Sequence, residues 1–271
     1  LTDYPQSSFA DRTKEAAIAT RLNFARFHDE IGALRARCEQ LRSALRSRRA
    51  DDALQLVDEL ITEARRIGSA NTGTFRPEDE ERKELEYLAI NGAVVRSVLG
   101  IIDQNLRPLP ASSTRIYRTE IPQGLYASVM GSNPSSSRRE ANPVESVTYT
   151  EAEAFATRLG WILGAKVRLP TPAEFISPAG ELNQPSLQSQ AWTAENTDGT
   201  TVRPVGAAAA NAAGIHDLIG NVEEWTIAAL GENRAPVLGG SILSPLGKVL
   251  ATKTVFKREK NRTLGFRIVI E

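Results

Sequence analysis

Sulfur and imidazole, on which much metal and nucleophilic chemistry depends, are scarce in this sequence. Its 271 residues include one cysteine, Cys38, and two histidines, His28 and His216. One cysteine cannot form an internal disulfide, and no zinc-ligand spacing is present. The chain also lacks a Gly-x-Ser-x-Gly nucleophile elbow and a Gly-x-x-x-x-Gly-Lys phosphate loop. These residue types therefore predict no catalytic arrangement, and Cys38 is interpreted as a packed, unreactive thiol.

Oxygen-bearing side chains are plentiful, and one short stretch spaces two carboxylates as a metal-binding loop could. Asp217 and Glu224 stand seven residues apart with Gly220 between them. Such a loop can fold its oxygens inward, and calcium takes several oxygen ligands from carboxylates and carbonyls. The alternative is a turn in which Asp217 accepts from backbone donors and Glu224 pairs with an arginine.

The first part of the chain is predicted to be helical. An apolar stripe in steps of three and four indicates a first helix, at Phe24, Phe27, Ile31, Leu34, Cys38, Leu41 and Leu45. A break at residues 47–51 predicts a helical hairpin, with the second helix starting at Asp51 and ending near Gly68. A third helix is expected from Pro77, with apolar positions at Leu85, Leu88, Val95, Val98, Leu99 and Ile102.

The second part has a different character. Residues 106–113 are expected to form a linker or an extended crossing, followed by short apolar stretches among Gly, Pro, Asn and Ser. Thr150 and Glu153 predict a capping box at the start of a helix, and residues 264–270 predict a strand. The expected architecture is α+β, with a helical segment over residues 1–110 and an irregular second domain over residues 111–271.

Charge and hydropathy exclude some partners. The chain has 33 basic and 33 acidic residues, so a net basic surface for nucleic acid is not expected. No run of 18 apolar residues is present, so we expect no membrane span. The first residue is Leu1, and we expect that a signal peptide or lipid anchor has been removed.

A series of short motifs runs from about Ile116 to the C-terminus. They are Glu120–Tyr126, Val129–Ser135, Asn142–Tyr149 with Glu151–Ala152, Arg168–Phe175, Pro204–Gly206, Asn211, Gly214–Trp225, Gly239–Ser241 and Leu264–Arg267. In this order they resemble the formylglycine-generating-enzyme, or sulfatase-modifying-factor, family. The resemblance implies a variant C-type-lectin-like fold with little regular secondary structure. It also suggests architectural roles for Arg267 and for an Arg168–Glu174 pair.

The resemblance implies chemistry that this chain is not equipped to perform. The family's enzyme holds copper with two cysteine thiolates located between its Gly-Gly-Ser and Gly-Phe-Arg motifs. Residues 242–263 fill that interval here and contain no cysteine. A relative that uses iron needs three clustered histidines, and this chain has two. We therefore expect no copper, no iron and no catalytic residues.

One metal site of the family is retained in the sequence. The family's calcium-binding turn matches Asp217 to Glu224, which implies ligands from the Asp217 side chain, the Gly220 and Val222 carbonyls and the Glu224 carboxylate. The expected cofactor is therefore a structural Ca²⁺.

Three functions are compatible with these features. The first is a non-catalytic periplasmic binding or regulatory protein, similar to family members that activate a membrane Ser/Thr kinase of type VI secretion, with the periplasmic part of such a kinase as partner. The second is a periplasmic tailoring oxidase, for example of a siderophore peptide, with a non-standard active site. The third, a lectin-like ligand-display module, ranks last because residues 244–262 have few aromatic and Asn side chains.

Overall fold

The computed structural model describes residues 29–30, 32–70, 79–180, 189–249 and 251–271. The chain forms two compact units, Leu1–Ile90 and Asn91–Glu271. Residues 91–110, which the sequence grouped with the helices, belong to the second unit. The elements of both units together confirm the α+β class.

The first unit is the predicted helical hairpin with one added helix. Residues 32–46 form α1, followed by α2 (Ala50–Ala70) and α3 (Asp79–Ile90). Arg48 turns the chain between α1 and α2 with a positive φ of 59°. The apolar stripe of the first helix is buried as predicted, at Leu34, Cys38, Leu41 and Leu45, and so are the third-helix positions Leu85 and Leu88. Helix α2 buries Ala53, Val57 and Leu60. Phe24, Phe27, Ile31 and Pro77 lie outside the described residues.

An ion pair fastens α1 to α3. The guanidinium of Arg42 donates through Nη2 to Glu84 Oε2 at 2.6 Å and through Nε to Glu84 Oε1 at 3.2 Å. Glu84 is 6% exposed, so its charge needs this partner. Arg37 joins α1 to α2 through Glu59 at 2.5 Å.

The third predicted helix is wrong as a single element. The structure ends α3 at Ile90 and starts α4 (Gly92–Ile101) after Asn91, whose φ of −108° and ψ of 30° are not helical. An Asn-Gly pair interrupts the backbone there, because glycine and asparagine favour turns over helix interiors. The apolar positions Val95, Val98 and Leu99 are nevertheless buried.

Two small four-stranded sheets form the frame of the second unit. The first has the order β1 (Leu106–Pro108), β2 (Arg115–Tyr117), β8 (Val269–Ile270) and β3 (Val167–Arg168), all antiparallel. The second has the order β6 (Lys253–Phe256), β5 (Arg234–Leu238), β4 (Glu223–Trp225) and β7 (Leu264–Gly265), with β4 and β7 parallel. The expected linker at residues 106–113 is therefore strand β1 and the turn after it.

The expected C-terminal strand is split between the two sheets. Leu264–Gly265 pairs with β4, whereas Val269–Ile270 lies between β2 and β3. Phe266 and Arg267, in the crossing between the sheets, are both fully buried. The Phe266 ring packs edge-on against Phe155, with ring centres 5.3 Å apart. The crossing thereby holds Arg267 in the interior, where the candidate site lies.

Three helices pack around the sheets: α5 (Gln123–Met130), α6 (Tyr149–Leu163) and α7 (Pro172–Ile176). The capping box of α6 begins two residues before the predicted position. Thr148, not Thr150, is the N-cap, and it exchanges hydrogen bonds with Glu151 rather than Glu153. The same Thr-x-x-Glu spacing occurs at both positions, but Thr148 has the extended backbone that an N-cap requires, with φ −73° and ψ 162°.

We expect Thr148→Ala to lower the free energy of unfolding by about 1 kcal/mol, because it removes an N-cap hydrogen bond. Thr150→Ala, the matched control, leaves the cap intact and should change stability by less than about 0.5 kcal/mol. Urea denaturation of the two variants measures the difference. Equal losses would contradict the observed cap.

No single helix among the described residues is long and apolar enough to cross a membrane. Two consecutive helical stretches, Arg82–Ile90 and Gly92–Asn105, reach that length and composition only when taken together.

Candidate functional site

Five polar side chains meet in the interior of the second unit, and we call this group the buried polar centre. Its members are Glu120, Asp217, Asn221, Glu224 and Arg267, each at most 1% exposed. Two of them, Asp217 and Glu224, are predicted site residues. Such a cluster is unusual in a core, because each polar group must find a partner there.

The backbone of residues 217–222 is bent by left-handed conformations. The φ angles are 49° at Asp217, 82° at Gly220 and 57° at Asn221. The bend is fixed by neighbours, since Gly220 N–H donates to Gly239 O at 2.7 Å and Asn221 N–H donates to Trp192 O at 2.8 Å. Glu224 follows on β4. The fold thus brings Asp217 and Glu224 to one centre, as the motif predicts.

Arg267 forms hydrogen bonds with both carboxylate oxygens of Glu224. Its Nε donates to Oε2 at 2.7 Å and its Nη2 donates to Oε1 at 2.6 Å. The same Nη2 donates to the carbonyl of Asp217 at 2.8 Å and is 3.2 Å from that of His216. Meanwhile Asp217 Oδ2 accepts from Gly206 N–H at 2.5 Å. These contacts match the alternative of a capped turn and an arginine pair.

Glu120 is a member of the centre to which sequence reasoning gave no role. Its Oε1 accepts from Val222 N–H at 3.0 Å, and its Oε2 accepts from the Asn221 side-chain amide at 2.8 Å. Asn221 in turn accepts from Arg203 N–H at 2.8 Å through Oδ1. The carboxyl of Glu120 therefore fixes the turn at Asn221 and Val222. Its only sequence signal is its place at the start of the first family motif.

The centre contains three carboxyl groups and one guanidinium. Burial raises the pKa of Glu120 well above its ordinary value, and the nearby Asp217 and Glu224 raise it further, while Arg267 lowers it. Burial likewise raises the pKa of Asp217 and of Glu224. The raised pKa means that Glu120 binds its proton at a higher pH in the folded than in the unfolded state.

We expect Glu120 to make the protein less stable as pH rises above its ordinary pKa of 4.5. A raised folded-state pKa means that the native state binds more protons than the unfolded state, so the free energy of unfolding falls through this window. Glu120→Gln removes that proton and should flatten the decline. Urea denaturation of both proteins over a range of pH measures the effect. The slopes of the unfolding free energy against pH are compared, rather than its absolute values, because the amide of the introduced Gln also disturbs the contact with Asn221. A Glu120→Gln slope identical to wild type would contradict the assignment.

The contacts of the buried polar centre involve two of the predicted calcium ligands, Asp217 and Glu224. Both Glu224 oxygens already bind Arg267, and Asp217 Oδ1 is the one carboxylate oxygen of this pair with no hydrogen-bond partner among the described residues. Within the same residues, no group of three or more His, Cys, Asp or Glu is arranged to hold a metal. As arranged, the Glu224 carboxylate is held by Arg267 and is not free for a metal. Calcium binding stays a prediction that requires Glu224 to exchange Arg267 for the metal.

Cys38 and His216, the residue types that could serve a copper or iron site, belong to different units. Cys38 is 4% exposed, on α1 of the helical unit. His216 is half-buried, with Nδ1 2.9 Å from the carbonyl oxygen of Ala208, and His28 lies outside the described residues. Residues 242–263 hold no sulfur, so the family's thiolate copper site does not fit this chain.

The Arg168–Glu174 pair forms as expected, although it is only partly buried. Two parallel hydrogen bonds of 2.7 Å join the groups. The hydrogen bonds from Arg168 are the main cause that lowers the pKa of Glu174 to about 2. Arg168 also binds Glu271 at 2.5 Å through Nε. The pair ties β3 to α7 and to the C-terminal residue, which is an architectural role.

A surface cleft of about 330 Å³ opens beside α6. Tyr149, Glu153, Thr157 and Lys257 supply polar groups, and Ile227 and Leu230 are among its apolar residues. The Lys257 ammonium lies 4.6 Å from the centre of the Tyr149 ring. The Thr157 hydroxyl donates to the carbonyl of Glu153 at 3.0 Å. The cleft has the size of a small-ligand site.

Known structures share the fold of the second unit. Treponema denticola variable protein 1 is 21% identical with a TM-score of 0.52, covering 58% of this chain and 84% of its own. PvdO from Pseudomonas aeruginosa is 17% identical with a TM-score of 0.50, covering 58% and 80%. CarF is 19% identical with a TM-score of 0.50, covering 61% and 92%. No curated protein sequence matches the chain significantly.

The family described as sulfatase-modifying factor enzyme 1-like domain matches residues 112–271, which is more than half of the chain. The fold of these residues is accordingly the C-type-lectin-like fold of that family, preceded by helices. The chain belongs to the formylglycine-generating-enzyme-like, or FGE-sulfatase, family.

Proposed function

We propose that this chain is a non-catalytic binding or regulatory member of its family. One observation carries the proposal: residues 242–263 contain no sulfur atom, and the single cysteine of the chain is buried in the helical unit. Soft thiolates are the ligands that Cu(I) prefers. This chain has a single cysteine and can therefore supply only one thiolate. The scaffold contacts around Arg267 and Arg168 are meanwhile intact. A retained scaffold without its metal ligands is suited to binding rather than to oxidation.

The narrower form of the proposal concerns partner and place. A domain of this family that lacks the copper ligands and carries an added helical unit is similar to regulators that work in the periplasm with type VI secretion. The partner would then be the periplasmic part of a membrane Ser/Thr kinase. A pull-down from membrane fractions with the full chain tests this, and the expected result is enrichment of a Ser/Thr kinase. Enrichment of soluble cytosolic proteins alone would contradict it.

A second candidate is a periplasmic tailoring oxidase, for example of a siderophore peptide. The cleft of about 330 Å³ with Tyr149, Glu153 and Lys257 favours it, because a substrate would need such a pocket. An oxidase of this kind requires a redox centre that is supplied outside residues 242–263. Analysis of the purified protein for copper and iron separates the two functions.

We expect the purified chain, loaded with Cu(I) without oxygen and then desalted, to retain much less than one copper per chain. A single buried thiol gives too few soft ligands for a stable site. Elemental analysis by mass spectrometry measures the ratio, with Cys38→Ser as the matched control. Stoichiometric copper that persists in Cys38→Ser would contradict the proposal, because the metal would then be held by ligands other than thiolate.

A further inference from the structure

The segment that replaces the family's copper-binding residues is strongly basic. Residues 248–262 contain six basic side chains, Lys248, Lys253, Lys257, Arg258, Lys260 and Arg262, and one acidic side chain, Glu259. The whole chain has zero net charge. The positive charge is therefore concentrated in the stretch of sequence that contains strand β6.

Strand β6 is an edge strand with a defined outward side. It pairs with β5 and with no second strand among the described residues. Lys257 N–H donates to Asn233 O, and the register pairs Val255 with Ala235. Because antiparallel bonding alternates, the backbone groups of Thr254 and Phe256 point away from β5.

The outward carbonyls of β6 already have donors. Arg234 Nη2 donates to Thr254 O at 2.5 Å, and Glu259 N–H donates to Phe256 O at 2.8 Å. The outward N–H groups of Thr254 and Phe256 have no acceptor among the described residues. This edge therefore presents donors, spaced about 7 Å apart as alternate residues of a strand are.

Two guanidinium groups flank the Phe256 ring on the outer face. The Arg234 carbon Cζ lies 4.2 Å from the ring centre and that of Arg258 lies 5.2 Å away. Neither forms an ion pair within the described ranges, whereas Lys253 is paired with Glu223. Arginines around an aromatic ring, here a half-buried Arg234 and an exposed Arg258, are typical of the centres of protein interfaces.

We infer that β6 with Arg234, Phe256 and Arg258 is the docking surface for an acidic, extended segment of a protein partner. The carbonyls of the segment accept from Thr254 and Phe256 N–H, and its carboxylates bind Arg234 and Arg258. Strand edges recognise extended peptides in this way. The strand-spaced backbone donors favour a peptide over a nucleic acid, because an extended peptide presents carbonyl acceptors at the same spacing. The inference rests on the proposed binding function and adds the chemistry of the partner.

The test uses the full chain and a fluorescein-labelled peptide of alternating Glu and Thr, followed by fluorescence anisotropy. Arg234→Gln with Arg258→Gln should raise the Kd by about tenfold or more, since two charge-assisted contacts are lost. Arg138→Gln with Arg139→Gln, which removes equal charge from another exposed surface, should change the Kd by less than about twofold. Thr254→Pro removes one outward N–H without breaking the pairing with β5, and it also removes the hydroxyl near Arg234 Nε, at 3.3 Å. It should therefore weaken binding more than Thr254→Val, which removes the hydroxyl alone.

Four results would overturn the inference. They are no binding of the peptide to the wild-type chain, equal losses in the two double variants, binding in Thr254→Pro no weaker than in Thr254→Val, and tighter binding of a single-stranded oligonucleotide of equal charge. A control peptide with Gln in place of Glu should bind at least about tenfold more weakly. None of these results bears on copper content, so failure of this inference is distinguishable from failure of the proposed function.

Discussion

Replacing Arg267 with methionine is expected to destabilise the protein by about 3–5 kcal/mol, the usual effect of removing one partner of a buried ion pair. Glu224 would be left fully buried without a cation, and the carbonyl of Asp217 would lose its donor. Denaturant unfolding at neutral pH measures the loss. The control is Arg168→Met, whose pair is partly exposed and should contribute less than the buried pair, about 1–2 kcal/mol after solvent screening.

A double variant keeps this prediction testable even where Arg267→Met alone does not fold. Adding Glu224→Gln to Arg267→Met removes the uncompensated charge and should recover part of the lost stability. If Arg267→Met is as stable as Arg168→Met, or if the double variant shows no recovery, the buried polar centre does not depend on the Arg267–Glu224 pair.

Gly220→Ala is expected to have the second largest effect. A Cβ at this position would lie 2.2 Å from the carbonyl oxygen of Trp192, and the backbone φ is 82°. Left-handed backbone alone costs a non-glycine residue about 1–2 kcal/mol. The overlap with a backbone atom forces the turn to move, so we expect a total loss of about 3 kcal/mol or more.

Gly131→Ala separates these two contributions. Gly131 also has a positive φ, of 75°, but a Cβ there would meet no atom within 4 Å. The control should therefore lose only the conformational part, about 1–2 kcal/mol. Thermal and denaturant unfolding of both variants provide the comparison. Equal losses would show that the close approach of Gly220 to Trp192 is not a constraint on the fold.

Elements with a clear period or spacing were predictable from the sequence. The stripe through Leu34, Cys38, Leu41 and Leu45 is buried because a helix places every third or fourth residue on one face. The break at Asn91 is not visible in the sequence pattern, because the apolar residues before and after it keep the spacing of a single helix. The capping box was placed two residues late because Thr-x-x-Glu occurs twice, and only the backbone angles distinguish the two.

The candidate site shows what sequence patterns leave out. Asp217 and Glu224 lie on one motif, so their meeting at the buried polar centre was predictable. Glu120 bonds Asn221 across 101 positions, and nothing local marks it as buried. The split of residues 264–270 between two sheets also depends on distant partners. Contacts between residues far apart in the sequence determine both features, and the spacing of residues along the chain carries no information about such contacts.

The oxidation of a thiol peptide tests the central claim most directly. The purified full chain would be supplied with copper and oxygen and incubated with a cysteine-containing peptide, and the peptide mass would then be followed by mass spectrometry. With no thiolate pair in residues 242–263, the account predicts no conversion of cysteine beyond that seen with copper and oxygen alone. Catalytic conversion above that background, repeated over many turnovers, would show that the chain is an enzyme and would contradict the account.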